Sequence, residues 1–190
     1  RVLRYPFFFI NRVIEAQKSL IILWFDRELA STQSVMEPHD TMTPQRCPEC
    51  SANWKNVSSC QEFFHQLLYW EAENPVNGTI HHLMVLSYYI QHPSLYSMNG
   101  LKWGVKLLKE FVEKEVSPGQ VRQRMHIEVD SGNRKWKIRG TDDSYGGYHN
   151  PVEWELTIED VIRRGEAVYQ QSVQSWAESI LDSLKTTGNL

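Results

Sequence analysis

The chain has 190 residues, 41% of them hydrophobic and 23% charged, and a net charge of −3 at pH 7. That length suits one domain with an extension, and it can bury a core without covalent staples. The acidic balance gives no general pull toward nucleic acid or anionic membrane, and seven Trp, eight Tyr and seven Phe exclude a disordered chain.

Residues 1–41 read as an N-terminal extension. Arg1 to Phe25 is apolar and aromatic, but Asn11, Arg12, Glu15, Gln17 and Lys18 interrupt it. No run reaches the ~20 apolar residues of a membrane span. Phe7-Phe8-Phe9-Ile10 behind a cationic start resembles a signal peptide, yet the run is short and no small-residue cleavage site follows. The first residue is Arg, which suggests an incomplete or over-extended reading frame, with Met36 or Met42 as candidate starts. The rival reading is an amphipathic helix with Val13, Ile14, Leu20, Ile21 and Trp24 on its apolar face. Residues 31–46, polar and carrying Pro38 and Pro44, read as a linker, so the domain is expected to span residues 42–190.

Helical signals follow in order. Ser58 or Ser59 can cap a helix from Cys60 to about Ala72, with Phe63, Phe64, Leu67 and Leu68 at helical spacing. Asn74 to Gly78 breaks it. Thr79 is expected to cap a second helix, Ile80 to His92, which Pro93 ends. Gly100 precedes a third, Leu101 to Val116. Ser117-Pro118 reads as N-cap and first residue of a short fourth. Between Ile127 and Glu155 the pattern fades into a long connection with room for a short strand or hairpin. Thr157-Ile158-Glu159-Asp160 resembles a capping box, and a last helix follows, open to a break at Gly165. Its apolar positions are Val168, Val173, Trp176, Ala177, Ile180, Leu181 and Leu184. The fold expected is mainly α, an irregular bundle of four to five helices with an N-terminal Cys-x2-Cys zinc knuckle.

All three cysteines lie between Cys47 and Cys60. An odd, clustered set is a poor disulfide framework and a good metal set, and it suits a reducing cytoplasm. Cys47 and Cys50 can bind one tetrahedral ion from a single turn, Cys60 adds a third sulfur, and zinc then needs a fourth donor, most often histidine. If the first two helices form an antiparallel hairpin, each step forward on one matches a step back on the other. Cys60 opposite His92 at the open end then places Glu71 opposite His81, three turns away near the hairpin turn, or ~16 Å along the axis. The ligands expected are Cys47, Cys50, Cys60 and His92. His81 and Glu71 are the alternative ligands and read first as a hydrogen-bonded pair. His82 is expected on an exposed face, and His65 is expected to turn away from Cys60. His39, His126 and His149 lie in polar segments.

These motifs carry a resemblance. Cys47-Pro48-Glu49-Cys50, then Cys60 with Phe64-His65-Gln66-Leu67-Leu68 and Glu71, then His81-His82-Leu83 through Tyr88 to Gln91-His92-Pro93, are similar to a bacterial family known as domain-of-unknown-function family 5946. Thr157 to Val161 and Val173 to Ala177 extend the likeness to about residues 46–185. The family has no assigned activity to carry over. It implies that the segment before residue 42 lies outside the shared domain. It also implies a glycine after the second cysteine of the knuckle, where this chain has Ser51.

Three functions compete. A closed Cys3His set has no open coordination position, which points to structural zinc in a binding or accessory protein. A metal-dependent enzyme would use the Glu71/His81/His92 face of the bundle and needs an open position and a base. A nucleic-acid-binding module would use Arg122, Arg124, Arg134, Lys135, Lys137 and Arg139 with Trp136 stacking between them, against which stands the acidic chain. The sequence names no partner.

Overall fold

The computed structural model describes residues 45–54, 57, 59–114, 116–130, 137–140 and 144–190, all within the Met42–Leu190 unit of a chain that divides into two. The expectations for residues 1–41 and for Arg134, Lys135 and Trp136 lie outside the described residues.

The unit opens with a two-stranded antiparallel ribbon, β1 (Gln45–Arg46) and β2 (Asn53–Trp54), with Arg46 opposite Asn53. Six α-helices follow among the described residues: α1 (Cys60–Glu73), α2 (His81–Gln91), α3 (Met98–Glu113), α4 (Pro118–Met125), α5 (Ile158–Arg164) and α6 (Tyr169–Thr186). The mainly α fold is as expected. The count reaches six because Gly165 divides the last expected helix. Its φ of +85° ends α5 in a conformation that side-chain-bearing residues rarely adopt.

Side-chain caps set three of the six α-helix starts, whereas Ser59, which precedes α1, makes no side-chain cap bond. Ser117 and Gln120 form a reciprocal capping box at α4, and Thr157 and Asp160 form one at α5. Three expectations need correction. Thr79 does not cap α2. It sits in a 3-10 turn, Asn77–Ile80, and its hydroxyl donates to the Val76 carbonyl, so that turn feeds directly into α2. Gly100 lies inside α3, which begins at Met98, because Ser97 accepts a hydrogen bond from the Gly100 amide and so supplies the cap. There a Cβ would meet the Ile138 carbonyl oxygen at 2.4 Å, so glycine is needed for close approach. Val168 is exposed, since it belongs to the 3-10 turn before α6 and not to the apolar stripe. In the long connection, no hairpin forms among the described residues. Instead, isolated bridges pair Tyr96 with Arg139 and Ser97 with Tyr145.

Helix α2 is the centre of the bundle. Leu83, Met84, Leu86 and Ile90 are buried, and α2 packs chiefly against α6 and α3. On α6, Val173, Trp176, Ala177, Ile180, Leu181 and Leu184 are buried, as their helical spacing requires. Trp176 donates its indole N–H to Gln91 Oε1, and Gln91 Nε2 donates to the Leu156 carbonyl. A buried amide is thereby satisfied at both ends, as a low-dielectric core demands.

A candidate metal centre

The knuckle is built by its own backbone. The Cys47 amide donates to the Ala52 carbonyl, and the Ser51 amide donates to the Cys47 carbonyl. These bonds close the turn and aim two sulfurs to one side. The Cys50 amide also points at Cys47 Sγ, at 3.5 Å. Cys60, the first residue of α1, places its Sγ 3.4 Å from Cys50 Sγ. His92 at the end of α2 places Nε2 3.6 Å from Cys47 Sγ. The four donor atoms lie within 4.8 Å of one another and can hold a metal ion. All four residues are buried: Cys47 is 6% exposed, Cys50 0%, Cys60 4% and His92 4%.

The hairpin register is the one the helical rise predicts. Cys60 and His92 meet at the open end, Phe64 stacks on Tyr88 at 4.4 Å, and Glu71 Oε2 lies 2.5 Å from His81 Nδ1 near the turn. Large side chains bridge the two helices, whose backbones seldom approach closely.

Around the four donors stands a shell that the sequence did not reveal. The His92 Nδ1–H donates to the Tyr88 carbonyl at 2.7 Å, which fixes the tautomer and leaves the Nε2 lone pair facing the sulfurs. The Tyr88 ring covers the imidazole, with centroids 4.2 Å apart. Trp54 Nε1–H donates to Cys60 Sγ at 3.2 Å. Inside the knuckle, the Glu49 carboxylate accepts from the Ser94 amide and hydroxyl, at 3.0 and 2.9 Å. The Glu49 carbonyl accepts from Trp154 Nε1. Glu49 thus clamps the Cys47–Cys50 turn to the chain just after His92. Only the C-x2-C spacing hinted at it, since the residues between the cysteines must face somewhere.

The electrostatics favour a cation. Hydrogen bonds from the Cys50 and Cys60 thiols lower the Cys47 pKa, and the same sulfurs, with burial, raise that of Cys50. One thiolate is stabilised by its neighbours, and a second in the same buried space is resisted. Burial works against a charged His92 ring, but the Cys47 and Cys60 sulfurs and the Tyr88 carbonyl outweigh it and push its pKa up to about 10. Protons therefore fill the role that a divalent ion would take over, because only a central positive charge allows three thiolates to lie together.

Residues 45–185 match the profile of a family of unknown function, DUF5946. The chain belongs to the DUF5946 family. No curated protein and no solved structure matches it. In DUF5946 terms the departure at Ser51 has a backbone meaning. Ser51 takes φ +67°, the left-handed region that favours glycine, so the serine sits where the family resemblance leads one to expect a residue without a Cβ.

The remaining sequence candidates fall elsewhere. Glu71 and His81 form the expected pair, and among the described residues no further His, Cys, Asp or Glu joins them in a metal-sized group. Glu71 is engaged at both oxygens, since the Tyr169 hydroxyl donates to Oε1 at 2.5 Å. His82 is half-buried, contrary to the exposed face expected, because α4 packs over that side of α2. His65 is half-buried, and His126 and His149 are exposed. In the basic segment, Arg124 pairs with Glu110 and Glu128, so part of its charge is neutralised internally. No helix among the described residues is long and apolar enough to cross a membrane.

Proposed function

We propose that this DUF5946 protein binds one zinc ion through Cys47, Cys50, Cys60 and His92, that the zinc is structural, and that the protein acts by binding or as an accessory protein in the bacterial cytoplasm. The burial of all four donors carries the reading. Three sulfurs and an imidazole complete a tetrahedron and leave no position for a substrate or an activated water. Zinc is favoured over harder ions because thiolates are soft ligands. The three cysteines are free thiols, as a reducing compartment would keep them.

Metal content of the purified protein tests this. One zinc per chain is expected under reducing, metal-replete conditions. Cys60→Ser should lose zinc and much of the fold, since Cys60 ties the knuckle to α1. His92→Ala should weaken zinc binding, and His81→Ala should spare it. Absence of bound zinc in the wild type overturns the reading. Loss with His81→Ala but not His92→Ala would overturn the ligand assignment.

The proposed domain is residues 42–190, with residues 1–41 dispensable. Residues 42–190 expressed alone should match the full chain in zinc content and melting temperature. A large loss of either would count against the boundary.

A further inference from the structure

Near the hairpin turn, remote from the cysteines, three helices contribute to one hydrogen-bonded chain. Tyr169, the first residue of α6, donates its hydroxyl to Glu71 Oε1 on α1. Glu71 Oε2 accepts the Nδ1–H of His81, the first residue of α2. The Glu71 side chain is 7% exposed, and that of His81 is 23% exposed. A carboxylate that accepts from Nδ1 fixes the tautomer, so the lone pair resides on Nε2. Among the described residues no protein group is hydrogen-bonded to His81 Nε2. The carboxylate is also placed to stabilise the positive charge that grows on the ring when Nε2 forms a bond.

The surroundings suit an anionic partner. Arg122 on α4 donates to the Gly78 carbonyl in the turn just before His81 and is close enough to act on His82 electrostatically. A purely architectural pair needs only Glu71 and His81. The hydroxyl behind the carboxylate and the fixed tautomer are what an activated nucleophile requires.

We propose that His81 Nε2 is a nucleophile that accepts a phosphoryl group from a small acyl phosphate or phosphoramidate. The Nε2 lone pair forms the N–P bond. The bond from phosphorus to the donor's oxygen or nitrogen breaks, and the leaving group departs as a carboxylate or as ammonia, the latter keeping the protons already on the donor nitrogen. The proton on Nδ1 stays in the hydrogen bond to Glu71, which balances the ring's charge. No redox partner is involved. Glu71 acts as a positioning residue, and Tyr169 holds Glu71.

The test uses the full-length, zinc-replete chain and phosphoramidate as donor, with acid-labile phosphate located by mass spectrometry and phosphorus NMR. His126 and His149, both exposed, serve as internal references. His81 should be labelled at Nε2 at least tenfold faster than either, and unfolding in urea should abolish that preference. His81→Ala should remove the fast label, and His82→Ala should retain it. Glu71→Gln should slow labelling by roughly 10²-fold, the lower end for loss of a catalytic partner. Nitrogen NMR should show the Nδ1–H tautomer in the wild type and a mixture in Glu71→Gln. If Glu71→Gln does not fold, Tyr169→Phe, which keeps the Glu71–His81 bond, should slow labelling severalfold. Labelling of His81 no faster than of His126 and His149 overturns the proposal, as does a fast label that survives His81→Ala. Zinc content is measured on the same samples, so failure here is distinguishable from failure of the zinc reading.

Discussion

His92 Nε2 lies 3.6 Å from Cys47 Sγ, although 45 positions separate the two residues. The helix ending at His92 and the ribbon holding Cys47 belong to different parts of the chain. Glu49 joins them, because it grips Ser94 from inside the knuckle.

Glu49 should therefore matter to the metal without touching it. Glu49→Ala should lower zinc affinity by about 10- to 100-fold, the usual cost of removing an outer-shell partner. Competition with a chromogenic chelator measures this. Unchanged affinity would mean that His92 is held in place by α2 alone.

Ser51 holds a left-handed backbone at φ +67°. The strain of a Cβ there is about 1–2 kcal/mol, partly offset by the entropy glycine loses on folding. Ser51→Gly should stabilise the domain by about 0.5–1 kcal/mol in denaturant unfolding with zinc held constant. A destabilised variant would show that the serine side chain has a role of its own.

Trp176 is fully buried, and its indole N–H satisfies Gln91. Trp176→Ala should cost about 3–5 kcal/mol. Trp176→Phe keeps most of the apolar volume but leaves Gln91 Oε1 without its donor, at about 1–3 kcal/mol. Chemical denaturation of both separates packing from hydrogen bonding. A Phe variant as stable as the wild type would mean that the bond contributes nothing.

His82 should make stability depend on pH. Burial, then the neighbouring His81 and Arg122, lower its pKa from 6.5 to about 4. Between those values the unfolded chain binds a proton that the folded chain does not, so stability rises with pH across the window. The contribution is complete above pH 6.5 and is lost as pH falls toward 4, by on the order of 2–3 kcal/mol. His82→Gln should remove that loss, which is read as the difference between variant and wild-type stability at each pH. Zinc release in acid affects both proteins and cancels in the difference. Parallel curves would show that His82 does not titrate as described.

The sequence alone determined much of what is local or periodic. The Cys47–Cys50 turn, the capping pairs at Ser117 and Thr157 and the apolar stripe of α6 from Val173 to Leu184 follow from fixed spacing, and once the first two helices pair as a hairpin, helical rise sets Cys60 near His92 and Glu71 beside His81. Tertiary structure decided what depends on side chains far apart in the chain. Trp154 reaches Glu49 across 105 positions and Tyr169 reaches Glu71 across 98, and no periodicity encodes either distance. The burial of His82 likewise required α4 to pack over α2. The left-handed backbone at Ser51 could not be read from the serine itself, because serine ordinarily avoids that region. Local rules fix which atoms face one side of an element. Only the packing of elements decides which atoms then meet.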